Sequence, residues 1–360
     1  NTTKAQNTIG TVTIDENVTD GYTLFTIDKN TYLIDNCGQV VNSWTSTFRP
    51  GNAVYLLGDG SILRAGQTDT TDIILGGRGG VIERYDWDGN LTWQYFYDTT
   101  TERQHHDIFP MPNGNVLILA ATIMTDTEAI EAGRNPANLS SSQLYNEQIV
   151  EVTPIGISEA TIVWEWNIND HFVQDFDATK DNFGNVQDTK GKIDLNYDVG
   201  GVGGRPDWLH FNAVDYNAEL DQIVISASYF NELWIIDHSC SAEEVKGDTG
   251  GNFGKGGQLL YRWGNPVTYK SGTSEDQRLF FQHDVQWLDG PEISESEYFQ
   301  QIGVFNNRSG TLQSSMSIIS PELDLNTNTY VLDGETYFPE DFEKSVINST
   351  NKVNDCIFIK

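Results

Sequence analysis

Residues 53–63, which read AVYLLGDGSIL, contain the unit that decides the fold: an apolar run, an Asp-Gly turn and a second apolar run. Residues 107–119, DIFPMPNGNVLIL, repeat the unit with an Asn-Gly turn, and looser copies span 212–226 and 284–305. Short apolar runs joined by Asp-Gly or Asn-Gly are typical of β-hairpins. Helical periodicity is nearly absent from the chain. The sequence therefore predicts an all-β protein.

A second hairpin follows each of these units and ends in tryptophan. The copies end at Trp44, Trp93, Trp164 and Trp263. Two hairpins make one four-stranded antiparallel sheet, and sheets that recur about every 45 to 70 residues predict a β-propeller. We expect the tryptophans to lie on outer strands and to pack between neighbouring blades.

The repeat predicts one propeller domain over residues 1–360, with six blades. Five blades can be delimited in the sequence, at 8–49, 52–96, 106–168, 208–264 and 281–334. We expect residues 1–20 to form an N-terminal extension or a closing strand, and residues 335–360 to form an irregular C-terminal tail. That tail lacks another hairpin unit, so the sixth blade is either composite or truncated.

Composition and charge exclude several classes of protein. The chain has 360 residues with 21 Lys and Arg against 52 Asp and Glu, for a net charge of −31. Such a charge argues against binding to nucleic acid phosphates or to anionic lipid. No apolar run is long enough for a membrane-spanning helix. The partners we expect are therefore small molecules, and the sequence does not indicate an oligomeric state.

The start of the chain and its surface residues indicate where the protein works. The chain begins at Asn1 without Met, which we interpret as a trimmed form that has lost any leader. It is rich in Asn, Thr and Asp and poor in Lys. We expect a secreted or periplasmic bacterial protein, with the cell surface as a further location.

Neither the cysteines nor the acidic loops match a metal-binding motif. Cys37, Cys240 and Cys356 have no zinc spacing, and a Cys37–Cys356 disulfide would tie the first blade to the tail and leave Cys240 as the odd thiol. Calcium could bind the Asp-rich loops at 175–177 or 194–198, but the spacing fits no calcium motif. We therefore expect no required cofactor.

Three of the six histidines occupy the same place in the repeat. His106, His210 and His283 each come at the start of the first strand of a predicted blade. The first strands of propeller blades line the central channel, so equivalent positions on different blades converge at one mouth of it. A lone histidine usually has a structural role, but three in register predict a shared pocket.

Converging histidines allow two kinds of chemistry. They either bind a metal ion, helped by neighbouring Asp residues, or they hold an oxyanion and supply a nucleophile near neutral pH. The neutral Asn212 and the lack of a dense acidic motif favour the second, and we assign no metal ligands. His171, in a long insertion, could overhang the site.

Several ordered motifs resemble the arylsulfotransferase (aryl-sulfate sulfotransferase) family over about residues 20–335. They are HHDIFPMPNGNVL at 105–117, DWLHFNAVDYNAELDQI at 207–223, and YRWGNP at 261–266 followed by QHD at 282–284. The resemblance implies a six-bladed propeller, periplasmic or secreted. It also implies transfer of a sulfuryl group from a phenolic sulfate ester to a phenol acceptor, without a nucleotide donor.

The resemblance also implies a role for each motif residue. His283 would carry the transient sulfo group, and His210 and Asn212 would contact the sulfate oxygens. His106 would polarise the leaving phenolate, with His105 beside it.

One residue near the W-x-H-x-N motif departs from the family pattern. Ser228 stands where the best understood members carry Arg, and it cannot supply a permanent charge or a bidentate clamp. Losing such a pair to a sulfuryl group would cost about 1.5–3 kcal/mol. Arg134 or Arg205 from the insertions could replace it.

Two other functions remain open at this point. One is a hydrolase or lyase of sulfated glycans that uses the same histidines as acid and base. The other is a non-catalytic propeller that binds a ligand or forms part of a surface assembly, which the loss of Arg at Ser228 favours.

Overall fold

Five antiparallel sheets follow one another along the chain and are arranged as a β-propeller, in the residues that the computed structural model describes: 18–69, 73–198, 205–288, 300–310 and 313–347. Each sheet is one blade. The predicted all-β propeller is confirmed, although the described residues form five blade sheets where we expected six blades.

The first three blades are consecutive meanders. Blade 1 consists of three strands, β1 (Tyr22–Ile27), β2 (Asn30–Asp35) and β3 (Val40–Thr45). Blade 2 consists of β4 (Pro50–Leu56), β5 (Ile62–Gln67), β6 (Gly80–Tyr85) and β7 (Leu91–Phe96). Blade 3 consists of β8 (Glu102–Pro110), β9 (Val116–Thr125), β10 (Gln143–Ile155) and β11 (Glu159–Asn167).

Short elements occupy the loops within and after blades 3 and 4. They are α1 (Asp126–Glu131), a parallel pair β12 (Phe172–Val173) and β13 (Ile193–Asp194), and 3-10 helices at Pro136–Asn138, Ile168–His171, Glu244–Lys246 and Pro266–Tyr269. Blade 4 itself consists of β14 (Phe211–Asn217), β15 (Gln222–Ala227), β16 (Glu232–Asp237) and β17 (Leu259–Trp263).

Blade 5 takes its fourth strand from the C-terminal part of the chain. Its first strands are β18 (His283–Trp287), β19 (Ile302–Gly310) and β20 (Gln313–Ile319). Two small hairpins follow, β21 (Leu323–Asp324) with β22 (Thr329–Tyr330) and β23 (Leu332–Asp333) with β24 (Thr336–Tyr337). The last strand, β25 (Lys344–Ile347), then pairs antiparallel with β20. Part of the segment that we expected to be irregular is thus a blade strand.

The Asp-Gly and Asn-Gly turns of the repeat form tight hairpin turns. Gly60 and Gly114 adopt φ of 82° and 87°, where a side chain would be strained. The amide of Gly60 donates to Leu57 at 2.9 Å, and that of Gly114 donates to Met111 at 3.0 Å. These turns set the register of the first hairpin in blades 2 and 3.

The four outer-strand tryptophans pack between blades, as predicted, and each also donates a hydrogen bond to the next blade or its connection. All four are at most 6% exposed. The indole N–H of Trp44 donates to the carbonyl of Asp86 at 2.7 Å, and that of Trp93 donates to the carbonyl of Glu159 at 3.0 Å. Trp164 donates to the carbonyl of Cys240 at 3.1 Å, and Trp263 donates to that of Pro339 at 2.6 Å. A buried indole needs such an acceptor, so the repeat positions both the ring and its partner.

The apolar core is divided into layers between neighbouring blades. Ile82 of blade 2 packs with Ile118 of blade 3, and Leu233 of blade 4 packs with Val304 of blade 5, each fully buried. Burying one such side chain contributes about 1.5–3 kcal/mol. The layers hold the inner strands of adjacent blades at fixed positions, which is the condition for a site built from several blades.

Two of the three cysteines lie within the described residues. Cys37 is exposed and Cys240 is buried, and both are free thiols; burial raises the pKa of Cys240 to about 12. Cys356, its predicted disulfide with Cys37 and residues 1–17 lie outside the described residues. No helix among the described residues has the length and apolar character needed to span a membrane.

Candidate active site

Each of the three predicted histidines lies at an irregularity in the first hairpin of its blade. The register shifts between Gln104 and Ile108 in blade 3, between Phe211 and Ala213 in blade 4, and between His283 and Gln286 in blade 5. Backbone φ is 50° at His106 and 56° at His210, which is unusual for side chains other than Gly. Such bulges and strained residues re-aim side chains at the ends of strands and are typical of functional sites.

The structure brings the rings of His106 and His210 into contact, and the charge of His283 acts on His106. The ring centroids of His106 and His210 are 4.7 Å apart, at an interplanar angle of 79°. The pKa of His106 lies well below its usual value, first because the ring is buried and then because of the charges of His210, His105 and His283. His283 is therefore part of the same electrostatic environment, and His106 is neutral near pH 7.

A glycine pair covers the rings of His106 and His210. A Cβ on Gly76 would lie 3.5 Å from Nε2 of His210 and 3.7 Å from Nε2 of His106, so these two nitrogens face the same point. A Cβ on Gly77, which has φ of 61°, would overlap the His106 ring. The carbonyl of Gly77 accepts from the amide of His106 at 2.6 Å. Only a segment without side chains can pass this close to the rings.

His105, predicted to lie beside the substrate, is instead enclosed by protein. Its ring has no exposure. Nε2 lies 2.8 Å from Oε2 of Glu147, and Nδ1 lies 2.9 Å from Nδ1 of His106. A buried ring with both nitrogens engaged in this way acts on a substrate only through His106.

His210 is held by a carboxylate and a tyrosine ring. Its Nδ1 lies 2.7 Å from Oδ2 of Asp207, and its ring stacks on Tyr229 at 4.6 Å and 13°. Burial alone would lower the pKa of His210, but the hydrogen bond and charge of Asp207, with the charge of Glu147, raise it above its usual value. His210 and His106 are thus driven toward opposite protonation states.

The surroundings of His283 determine which of its nitrogens carries a lone pair. Nδ1 lies 3.1 Å from the carbonyl oxygen of Phe281, which can only accept, and 2.8 Å from the atom assigned as Nδ2 of Asn307, which can only donate. A proton on Nδ1 satisfies the Phe281 carbonyl, and Asn307 then presents its amide oxygen, since the two orientations of an amide are nearly indistinguishable. In this tautomer the lone pair of His283 lies on Nε2.

Asn212 and Ser228 are both buried near the histidines. The Asn212 amide donates to the carbonyl of Gln282 at 2.8 Å and thereby joins blade 4 to the residue before His283. Ser228, where the resemblance led us to expect Arg, is 1% exposed, and its amide donates to the carbonyl of His210 at 3.2 Å. Its short side chain supplies no charge to the site.

Three exposed arginines come from segments that adjoin the residues around the histidines. The guanidinium of Arg308 lies 4.1 Å from the ring centroid of Phe281, two residues before His283. The charge of Arg205 acts on the phenol of Tyr229, which stacks on His210. Arg78 forms a β-bridge with His105.

Two of the predicted site residues are buried in other contacts. Arg134 lies over the ring of Trp208 at 4.9 Å and donates to the carbonyls of Leu195 and Asn138. His171 has no exposure and stacks on Trp166 at 5.2 Å, and burial lowers its pKa to about 4. None of these contacts, within the described part of the chain, joins either residue to the three histidines.

Metal-ligating side chains do not gather elsewhere in the part of the chain that the structure describes. Among those residues, no group of three or more His, Cys, Asp or Glu is placed to hold a metal ion. His238, the remaining histidine, instead forms a structural ion pair with Glu151 at 3.0 Å and with Asp221 at 2.7 Å.

Sequence reasoning missed the residues that support the site. Glu147 lies inside a long strand, and no local pattern distinguishes it from other acidic residues. The glycines at 76 and 77, in the stretch GGRGG, were a usable signal for close backbone approach.

Comparison with known proteins identifies a family. A family model described as arylsulfotransferase (ASST) matches residues 12–322. No curated protein matches the chain.

Solved structures resemble the chain only distantly. Hydrazine synthase of Kuenenia stuttgartiensis has 11% identity and a TM-score of 0.44, over 82% of this chain and 66% of that one. A dihydro-heme d1 dehydrogenase has 10% identity and a TM-score of 0.35, over 86% and 42%. The Cps50 (Swd1) β-propeller domain of Myceliophteria thermophila has 13% identity and a TM-score of 0.42, over 92% of this chain and 70% of that one. This chain spans less than two thirds of the first two, and TM-scores this low carry no inference.

Proposed function

The chain belongs to the arylsulfotransferase family, and from that premise we propose that it transfers a sulfuryl group from a phenolic sulfate ester to a phenol through a sulfo-histidine. In the first step Nε2 of His283 attacks sulfur, an N–S bond forms, and the S–O bond to the donor phenol breaks. In the second step an acceptor phenol attacks the same sulfur and the N–S bond breaks. Together, the two steps exchange the donor phenol for the acceptor phenol on the sulfuryl group, so no nucleotide donor or cofactor is needed.

The protonation states around the mouth support this chemistry. A nucleophilic imidazole needs a lone pair, which the Phe281 carbonyl directs to Nε2 of His283. His210, with its raised pKa, supplies an imidazolium for the sulfuryl oxygens, and the second N–H of the Asn212 amide is a further donor. Neutral His106 is placed to exchange a proton with the phenol oxygen.

The exposed arginines offset the serine at position 228. Arg308 and Arg205 come from different segments from the family's Arg, yet both lie beside residues that contact the histidines. A guanidinium can pair with two oxygens of a sulfuryl group. We propose that they bind the donor, and that the protein acts on small phenolic sulfates outside the cytoplasm, secreted or in the periplasm.

The single observation that carries the proposal is the contact between the rings of His106 and His210 from neighbouring blades, with the charge of His283 from a third blade acting on His106. Colour release from nitrophenyl sulfate, with and without a phenol acceptor, tests it. Wild type should release nitrophenol faster when acceptor is present. His283→Asn should lower kcat/KM by about 10⁴-fold or more, because no other nucleophile replaces it.

The matched control is His238→Asn, which removes a histidine of the same protein outside the mouth. This variant should keep the transfer activity at low temperature. Equal activity in wild type and His283→Asn would reject the nucleophile.

One observation favours a second candidate, a non-catalytic propeller that binds a sulfated ligand: Ser228 supplies no charge where the family carries Arg. Under that alternative wild type releases no phenol from any aryl sulfate but binds one saturably, as calorimetry would show.

A further inference from the structure

A continuous chain of hydrogen-bonding groups leads from the interior to His106. Glu147 lies on β10, and its Oε2 accepts from Nε2 of His105 at 2.8 Å. Nδ1 of His105 contacts Nδ1 of His106 at 2.9 Å, and Nε2 of His106 faces the point that Nε2 of His210 also faces. The side chains of Glu147 and His105 are 2% and 0% exposed, so water does not reach these contacts.

The chemistry of these atoms limits where protons can lie. A carboxylate only accepts, so Nε2 of His105 carries a proton. The contact between the two Nδ1 atoms needs one proton, which belongs either to His105 or to His106. If His105 holds it, His105 is an imidazolium paired with Glu147, and His106 carries its own proton on Nε2. If His106 holds it, His105 is neutral and Nε2 of His106 has a lone pair.

We propose that Glu147, His105 and His106 form a buried proton relay that supplies a proton to the departing donor phenolate and takes one from the acceptor phenol. The relay deepens the proposed sulfuryl transfer and rests on it. His106 is the group that touches the phenol oxygen, and His105 and Glu147 are positioning residues that act through it.

The proton movements balance in both halves of the reaction. As the S–O bond of the donor breaks, the proton on Nε2 of His106 passes to the phenolate oxygen, and the proton on Nδ1 of His105 passes to Nδ1 of His106. His105 becomes neutral and keeps its Nε2–H on Glu147. When an acceptor phenol attacks the sulfo-histidine, its proton passes to Nε2 of His106 and the other proton returns to His105.

The electrostatic surroundings explain why a relay is useful here. His106 packs against His210, and charges on His210, His105 and His283 act on it. These groups oppose a positive charge on His106, whose pKa is well below its usual value. The carboxylate of Glu147 contacts His105 and not His106, so a proton on Nδ1 of His106 can pass inward to the ring that faces a carboxylate.

Glu147 also ties the relay to the neighbouring blade. Its other oxygen, Oε1, accepts from the amide of Phe211 at 2.9 Å, between His210 and Asn212 in the chain. One carboxylate thus fixes His106 through His105 and fixes the His210 segment through the backbone. In Glu147→Gln the amide oxygen can keep the Phe211 bond, while the amide nitrogen faces His105 and ends the relay.

A pair of donors that differ in the acidity of the leaving phenol tests the relay. Phenol has a pKa of about 10 and leaves poorly without a proton, whereas nitrophenol is far more acidic and leaves as the anion. Glu147→Gln and His105→Gln should lower kcat/KM for phenyl sulfate by about 10²-fold, and for nitrophenyl sulfate by less than about threefold. Equal losses on the two donors would show a merely structural role and overturn the relay.

Glu151→Gln is the matched control. Glu151 lies four residues along the same strand and contacts His238 at 3.0 Å, so it is another Glu–His pair outside the mouth. It should give the same ratio of phenyl to nitrophenyl sulfate turnover as wild type. A changed ratio in Glu151→Gln would contradict the assignment of the relay to Glu147.

A measurement without turnover separates the relay from the proposed function. Nitrogen-15 chemical shifts report whether each ring nitrogen carries a proton. In wild type the relay predicts intermediate shifts for Nδ1 of both His105 and His106, because they share one proton. In Glu147→Gln each Nδ1 should show a fully protonated or fully unprotonated shift. Unshared protons in wild type would overturn the relay, whereas failure of wild type to use any aryl sulfate would refute the proposed function.

Discussion

Replacing Asp207 with Asn should shift the pH dependence of the reaction through His210. Oδ2 of Asp207 lies 2.7 Å from Nδ1 of His210, and the two side chains are 18% and 12% exposed. Burial alone lowers the pKa of His210, and the raised pKa depends on the hydrogen bond and charge of Asp207. In Asp207→Asn the pKa of His210 should therefore fall below its ordinary value.

The size of the shift follows from the geometry. An opposite charge at hydrogen-bond distance shifts a pKa by about 1–3 units, and each unit corresponds to about 1.4 kcal/mol. A histidine is cationic below its pKa, so activity that needs the His210 cation is lost as the pH rises through that pKa. Above both pKa values, a fall of one unit lowers the protonated fraction about tenfold.

The assay is kcat/KM for nitrophenyl sulfate measured across the pH range. We expect the alkaline limb of Asp207→Asn to move at least about one unit toward acid, with activity recovered at low pH. Asp221→Asn is the matched control, because Asp221 contacts Nδ1 of His238 at the same distance of 2.7 Å. The alkaline limb of Asp221→Asn should lie at the same pH as that of wild type. An Asp207→Asn profile that is lower at every pH but not shifted would refute the role of His210 as a cation.

Three further changes test other parts of the account. Gly77→Ala should lower kcat/KM by about 10²-fold, because its Cβ would overlap the His106 ring. Gly89 also has a positive φ, but no atom lies within 4 Å of its Cβ position, so Gly89→Ala should stay active. Equal activities of the two variants would contradict the close approach of Gly77 to His106. Arg308→Ala should raise KM for an aryl sulfate about tenfold or more, by loss of a charge-assisted pair of about 1.5–3 kcal/mol, and an unchanged KM would remove it from the binding site. Burial would lower the pKa of His238, but hydrogen bonds and charges of Asp221 and Glu151 raise it to about 9. The protonated ring should therefore contribute roughly 3 kcal/mol to the free energy of unfolding below pH 6.5. That contribution should be lost as the pH rises through about 9. The destabilisation of His238→Asn in denaturant should therefore be larger at pH 6 than at pH 10, and a loss independent of pH would be contrary to the ion pairs.

The fold was predictable because its signals are local. A β-hairpin needs only alternating apolar residues and a turn of the right residues, and these stood side by side around Gly60 and Gly114. The outer tryptophans repeated at matching places, so their packing between blades followed from the repeat. The fourth strand of blade 5 was not predictable in the same way, because two small hairpins separate β20 from β25 and no turn signal joins them.

The candidate site was predictable only in its innermost residues. His106, His210 and His283 hold equivalent places in the repeat, and topology alone brings such places together. Glu147, Arg308 and the Gly76–Gly77 segment reach the site by long-range packing, which leaves no periodic trace in the sequence. Arg134 was predicted to bind the substrate in place of an Arg at position 228. The structure instead buries its guanidinium over the ring of Trp208.

Trapping the intermediate is the most direct test of the central claim that the three histidines form one sulfuryl-transfer site. Wild type would be mixed with nitrophenyl sulfate without acceptor, quenched under alkaline conditions and digested, and its peptides weighed. We predict the added mass of one sulfuryl group on the peptide that contains His283, and its absence from His283→Asn. A sulfuryl group on any other residue, or rapid transfer to phenol with no modified peptide at all, would contradict the account.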